Sequence, residues 1–257
     1  MTAVVAAGRR VLPRGWVDFG RQLVIWFGFF FAYQVARGFA DRNPAKAFWN
    51  GYRVIDFERR WSHHLVELTA QNVADSSRWL LTAAAWTYWN SEFTVIGLAI
   101  LWVYLRRHEH FIRFRNTVLL ANVIGLVGYV LEPTAPPRMF STIGFKDTLD
   151  TISGINHGSA FVQLAANPYA AMPSLHAADA LIVAVVLVAA CKHWWSKAIW
   201  AAWPAWVWFC VMATANHFLL DVLAGIGVAL LSIAVVGLAP RLLRRRANET
   251  EPIANPL

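Results

Sequence analysis

A chain of 257 residues that is 58% apolar and 15% charged has too few charges for an ordinary soluble domain and too much apolar content for disorder. Its 14 Trp and 16 Phe suit lipid-facing and interfacial surface. The net charge of +8 sits in short clusters beside apolar runs, which fits the edges of a membrane domain better than a nucleic-acid face, and Cys191 and Cys210 are too few for a disulfide framework.

In chain order, residues 1–21 are a basic segment with Arg9, Arg10, Arg14 and Arg21 ahead of the first apolar run. That run is long enough to be retained as a helix rather than cleaved as a signal. A bilayer-crossing helix needs about 20 mainly apolar residues. Six candidates follow, at 22–40, 84–105, 116–132, 176–192, 198–214 and 217–239. Between the first two, Phe48, Tyr52, Ile55, the stem of Arg59, Leu65 and Leu68 fall near helical spacing, punctuated by Trp49, Trp61 and Trp79. The segment 44–80 is therefore expected to form one or two amphipathic helices at a membrane interface; a soluble helical hairpin shares the pattern. Glu92, Asn122 and Asp179 fall inside spans and are expected to face the bundle interior. The tail 240–257, basic then polar, is expected to fray. The fold expected is all-α: an integral membrane bundle of six transmembrane helices over 22–239, with amphipathic helices on the extracytoplasmic side.

Basic loops set the orientation. With the N-terminus inside, the cytoplasmic side holds Arg9, Arg10, Arg14 and Arg21; Arg106, Arg107, Arg113 and Arg115; Lys192 and Lys197; and Arg241, Arg244, Arg245 and Arg246. Most remaining bases lie in the 37–78 stretch, offset there by acids such as Asp56, Glu58, Glu67 and Asp75. Both termini are then cytoplasmic, and the membrane is read as a plasma membrane.

Three polar segments fall on the outer side: Glu132 to Arg138, Asn167 to His176, and Asn216 to Asp221. His217 and Asp221 are four apart at a helix start and share a face, as a base and its orienting carboxylate do. A helical packing bond has the same spacing. His176 is a second imidazole, and Ser174 can cap the helix that opens there, whose N-terminus suits an anion. Arg138 brings a guanidinium fork matched to phosphate. Phosphoryl transfer through a His nucleophile requires such a set. His63-His64 and His108-Glu109-His110 lack the convergent ligands of a metal site, and His157 reads as a solvated loop residue.

Met172-Pro173-Ser174-Leu175-His176, Asn216-His217-x-x-x-Asp221 and Pro133-Thr134-Ala135-Pro136-Pro137-Arg138, in this chain order, resemble the type-2 phosphatidic acid phosphatase superfamily. Within it they are most similar to the inositol phosphorylceramide synthase-like branch. The resemblance covers roughly 44–235. It implies that His217 attacks phosphorus and becomes a phosphohistidine, with Asp221 orienting it. It implies that His176 protonates the leaving group and that Ser174 and Arg138 hold the phosphoryl oxygens. Two cations of the wider superfamily are replaced by Leu131 and Val211, as is common in the branch. Arg53, Arg59, Arg60 or Arg78 could supply the missing charge. Glu92 and Asp179 could tune His176 or contact an acceptor headgroup, and Asn216 is a further accessory residue.

The expected function is a membrane enzyme that cleaves or transfers the phosphoryl group of an amphiphilic lipid phosphate, with no metal or other cofactor and no nucleic-acid partner. Water as acceptor makes it a phosphatase; an alcohol makes it a phosphotransferase, of phosphoinositol or a similar headgroup. The competing readings are a membrane scaffold that kept the fold, and a transporter built around Glu92 and Asp179.

Overall fold

A computed structural model describes residues 12–39, 43–149 and 167–250, the last stretch by backbone alone beyond 239. Arg9, Arg10 and His157 lie outside the described residues. The elements are α1 (Gly15–Phe39), α2 (Pro44–Ser62), α3 (Val66–Asp75), α4 (Arg78–Asn90), a π-helical turn (Ser91–Val95), α5 (Ile96–Arg106), α6 (His108–Leu131), α7 (Leu175–Ala190), α8 (Trp194–Ala213) and α9 (Leu219–Thr250). The fold is all-helical, as the sequence predicts; among the described residues the only extended pairing is an isolated parallel bridge between Thr134 and Ala170.

α7 is the central helix and packs against α6, α8 and α9. The main core joins it to α1, α5 and α6 through Tyr33, Val103, Phe114, Val118, Ile182 and Val183. The outward faces of α1, α5, α6 and α9 are apolar, with Val24, Phe27, Phe31, Leu98, Val127, Leu131, Leu230 and Leu238 exposed. A soluble monomer rarely presents apolar surface on this scale. Among the described helices, α6, at 24 residues, and Leu219–Ala239 of α9, at 21, are long and apolar enough to cross a membrane. α6 starts earlier than the expected 116–132 span. The expected 84–105 span is α4 and α5 joined through the π turn.

The 44–80 segment forms the two helices α2 and α3. Asn43 caps the first by accepting the Lys46 N–H at 3.3 Å, and Pro44 occupies its first turn. His63, in the left-handed region at φ 62°, ends it. The buried stripe of α2 differs from the expected one. It runs through Ala47, Asn50, Gly51, Val54, Ile55 and Glu58, while Tyr52 and Arg59 are exposed. Small residues explain the shift. A Cβ on Gly51 would collide with the Phe140 ring, so the helix backbone seats directly against the loop after α6. Asn50 then reaches the Pro133 carbonyl oxygen with its Nδ2 at 2.9 Å. Of the tail expected to fray, residues 240–250 continue α9 as helix to Thr250, and 251–257 lie outside the described residues.

Candidate active site

The site begins where α7 does. The chain passes through a cis Met172–Pro173 peptide into Ser174, which is fully buried. The Ser174 hydroxyl caps α7, accepting the Ala177 N–H at 3.3 Å. Its own N–H donates to the Asp221 carbonyl oxygen at 3.0 Å, so main chain joins the two His-bearing motifs directly. Gly225 permits this, because a Cβ there would strike the Ser174 carbonyl. Gly128 likewise makes room for the Pro173 ring.

His217 follows a tight exit from α8. Ala215 adopts a left-handed φ of 54°, and the N–H groups of Asn216 and His217 both donate to the Val211 carbonyl, at 3.0 and 3.2 Å. The His217 ring is 4% exposed. Its Nδ1 lies 2.9 Å from the Ala171 carbonyl oxygen and 3.6 Å from Asp221 Oδ2. A carbonyl only accepts, so this bond assigns the proton to Nδ1 and leaves the lone pair on Nε2. Asp221 Oδ2 also accepts the Phe218 N–H at 2.9 Å. Asp221 is thus beside His217, as its spacing predicts, and also a cap of α9.

His176, on the first turn of α7, lies with its ring centroid 5.6 Å from that of His217. Tyr88 of α4 stacks on it at 4.4 Å between centroids. Glu92 Oε2 is 3.4 Å from His176 Nε2. The π turn Ser91–Val95 carries Glu92, and such bulges in helices often sit at functional sites. Asp179 takes another direction. It is 1% exposed, interacts with Asn122, and among the described residues its Oδ1 has no hydrogen-bond partner. With Glu92 and Asn122 it forms the polar lining of a cavity of about 460 Å³, otherwise walled by apolar side chains including Phe29 and Phe30 of α1.

Arg138 comes from the short turn Pro137–Met139. Its Nη1 donates to Asn216 Oδ1 at 2.5 Å, its Nε is 3.7 Å from Asp147, and its main-chain N–H donates to the Ala215 carbonyl at 2.8 Å. Asn216 is fixed by its own bonds to Thr214, at 3.0 and 3.1 Å. His176, His217, Asp221, Ser174, Glu92, Arg138 and Asn216 are thus brought together, while Asp179 joins Glu92 only as a wall of the adjoining cavity. Arg53, Arg59, Arg60 and Arg78 are exposed on α2 and α4. The cation that joins Arg138 in acting electrostatically on His217 is Arg37 of α1, which the motifs did not reveal.

Two acids were also missed. Glu58 and Glu67 are buried and reach the first N–H groups of α9: Glu58 accepts from Leu220 at 2.8 Å, and Glu67 accepts from Leu219. Burial, with the charge of Glu67 adjacent, pushes the Glu58 carboxyl up to about 9. The pair holds the turn that follows His217. Glu58 was legible in principle, since it lies four residues past Val54 on the buried stripe.

A family model described as the PAP2 superfamily matches residues 53–235. A relative named phosphoinositol dihydroceramide synthase, from Bacteroides thetaiotaomicron, is 30% identical over 138 residues, which is 49% of this chain and 45% of the relative. The match thus spans about half the length of that relative. No solved structure matches the chain.

Proposed function

The chain belongs to the PAP2 superfamily, and within it we propose a membrane-embedded lipid phosphotransferase, which takes the phosphorylated headgroup of one amphiphile onto His217 and passes it to the hydroxyl of another. The observation that carries this reading is the imidazole pair, with centroids 5.6 Å apart and His217 Nδ1 committed to Ala171 at 2.9 Å. One ring then has a free nucleophilic nitrogen, and the other is placed to handle a proton.

His217 Nε2 attacks phosphorus in line. The bond from phosphorus to the lipid oxygen breaks, and His176 gives that oxygen its proton. The result is a phosphohistidine and a released lipid alcohol. The acceptor hydroxyl then gives its proton to His176 and attacks phosphorus, the P–N bond breaks, and both rings return to their starting state. Glu92 supports the charged form of His176, while Arg138, held by Asn216, faces the non-bridging oxygens. These steps use only the chain's own residues.

Six spans cross the bilayer in this reading. Both termini are cytoplasmic, and α2 and α3 lie at the extracytoplasmic interface. The apolar outer faces of the helices and the placement of basic loops support it. Transfer to an alcohol is favoured over hydrolysis because His217 is buried and His176 is only slightly exposed, and because the relative's name describes a synthase. By that analogy, the donor bears phosphoinositol and the acceptor is a dihydroceramide-like alcohol.

The test is a two-product assay on purified protein in detergent, without divalent metal, beside His217→Ala. A phosphorylated product that needs an added lipid alcohol supports transfer. Free phosphate without acceptor makes the enzyme a phosphatase. Near-normal turnover by His217→Ala sinks the phosphohistidine route.

A further inference from the structure

A transferring phosphoryl group spreads negative charge over its oxygens, and Arg138 already shares its own charge with Asp147 at 3.7 Å. α1 brings a second guanidinium to the same place. Arg37 lies on the last turns of α1, one helical turn past Tyr33 and on the same face. Its guanidinium carbon sits 5.7 Å from the centroid of the Tyr129 ring of α6, at which Arg stacking is favourable. Among the described residues its buried Nε has no hydrogen-bond partner. A buried guanidinium nitrogen without an acceptor is costly, so an anionic oxygen there would be favourable.

The surroundings identify that acceptor. Arg37 is within electrostatic range of both His176 and His217, and of Tyr88 and Glu92. Tyr33, one turn before Arg37, lines the same cavity as Glu92, which is 3.4 Å from His176 Nε2, so α1 carries Arg37 to the His176 side of the site. The cavity of about 460 Å³ runs along that side, and Tyr33 and Glu92 both line it. A chain lying among its aromatic residues would bring its polar end to Glu92 and Tyr33, next to Arg37. Resting on the phosphotransferase reading, we infer that Arg37 is a second phosphate-binding catalytic residue, which grips a non-bridging oxygen of an anionic lipid entering from the α1 side and shares that charge with Arg138.

The test separates binding from reaction. A short-chain phosphatidate is titrated into full-length His217→Ala protein in detergent, alone and combined with Arg37→Gln, Arg37→Lys or Arg106→Gln. Phosphoenzyme formation and kcat/KM are measured for the same Arg37 and Arg106 changes in the wild-type background, and melting temperatures check folding. Arg37→Gln is expected to raise Kd at least tenfold and to slow phosphoenzyme formation by about a hundredfold. Arg37→Lys keeps the charge without the fork and is expected to recover part of both. Arg106→Gln, on the exposed last turn of α5, is expected to match its parent. If Arg37→Gln fails to fold, Arg37→Lys decides alone, by a several-fold weaker Kd. Unchanged Kd and unchanged kcat/KM in the folded Arg37 variants overturn the inference while leaving the reaction intact. Arg37-dependent binding without any phosphoenzyme in the wild type overturns the reaction and leaves the cation site standing.

Discussion

His217 donates from Nδ1 to the carbonyl oxygen of Ala171 at 2.9 Å, closer than the 3.6 Å that separates it from the Asp221 carboxylate. The main chain therefore sets the tautomer, and Asp221 adds charge and caps Phe218. Asn at 221 keeps the cap oxygen. We expect Asp221→Asn to lower kcat by roughly tenfold to a hundredfold, less than the ~10⁴-fold loss where a carboxylate alone sets the tautomer. Steady-state kinetics check this; inactivity as complete as that of His217→Ala would restore Asp221 as the controlling partner.

His176 is proposed to protonate a departing lipid oxygen, so its value depends on how poor the leaving group is. His176→Ala is expected to lose about 10²–10⁴-fold with an alkyl phosphate donor. A nitrophenyl ester leaves without a proton, and phosphoenzyme formation from it should stay near the wild-type rate. Equal losses with both donors would count against the acid role.

Glu58 gives stability a pH dependence. Its carboxyl keeps its proton in the folded state up to about 9, against an ordinary value of 4.5. Below the ordinary value both states are protonated and this contribution is whole. As pH rises toward 9 the folded state binds the extra proton, so stability falls. The groups facing it are Glu67, Asp221 and the Leu220 N–H. Glu58→Gln, which can still accept from Leu220, should flatten the fall in melting temperature between about pH 5 and 9. An unchanged slope would assign the dependence elsewhere.

Gly97 lines the apolar cavity, and a Cβ there meets nothing within 4 Å. Gly97→Phe has room for its Cβ and should place a ring in that space. The expected outcome is a several-fold loss of kcat/KM for long-chain donors and little change for a short-chain one. Equal effects on both would mean that the cavity does not hold the lipid chain.

The helical class and the meeting of the motifs were legible because each motif carries its own local signal. A Ser three residues ahead of a buried N–H announces a cap, and His217 with Asp221 announces a shared face. Arg37 carried no such signal. It ends an apolar run, where long basic side chains ordinarily reach for headgroups, so only its packing on Tyr129 distinguishes it. The stripe of α2 departs from the spacing of its large apolar residues because Ala47 and Gly51 are buried for being small.

The turn at Ser91–Val95 has a wider consequence. Five residues wound there with a π pitch act as a phase shifter. Each α-helical residue advances about 100° around the axis, so one residue removed would rotate everything on one side of the turn by that angle against the other. Tyr88 and Glu92 lie on either side of the point where the winding changes, yet both meet the same imidazole. Tyr88 and Glu92, four residues apart, would share a face under uniform winding too, so what the irregularity re-aims is the face of α5 relative to that of α4.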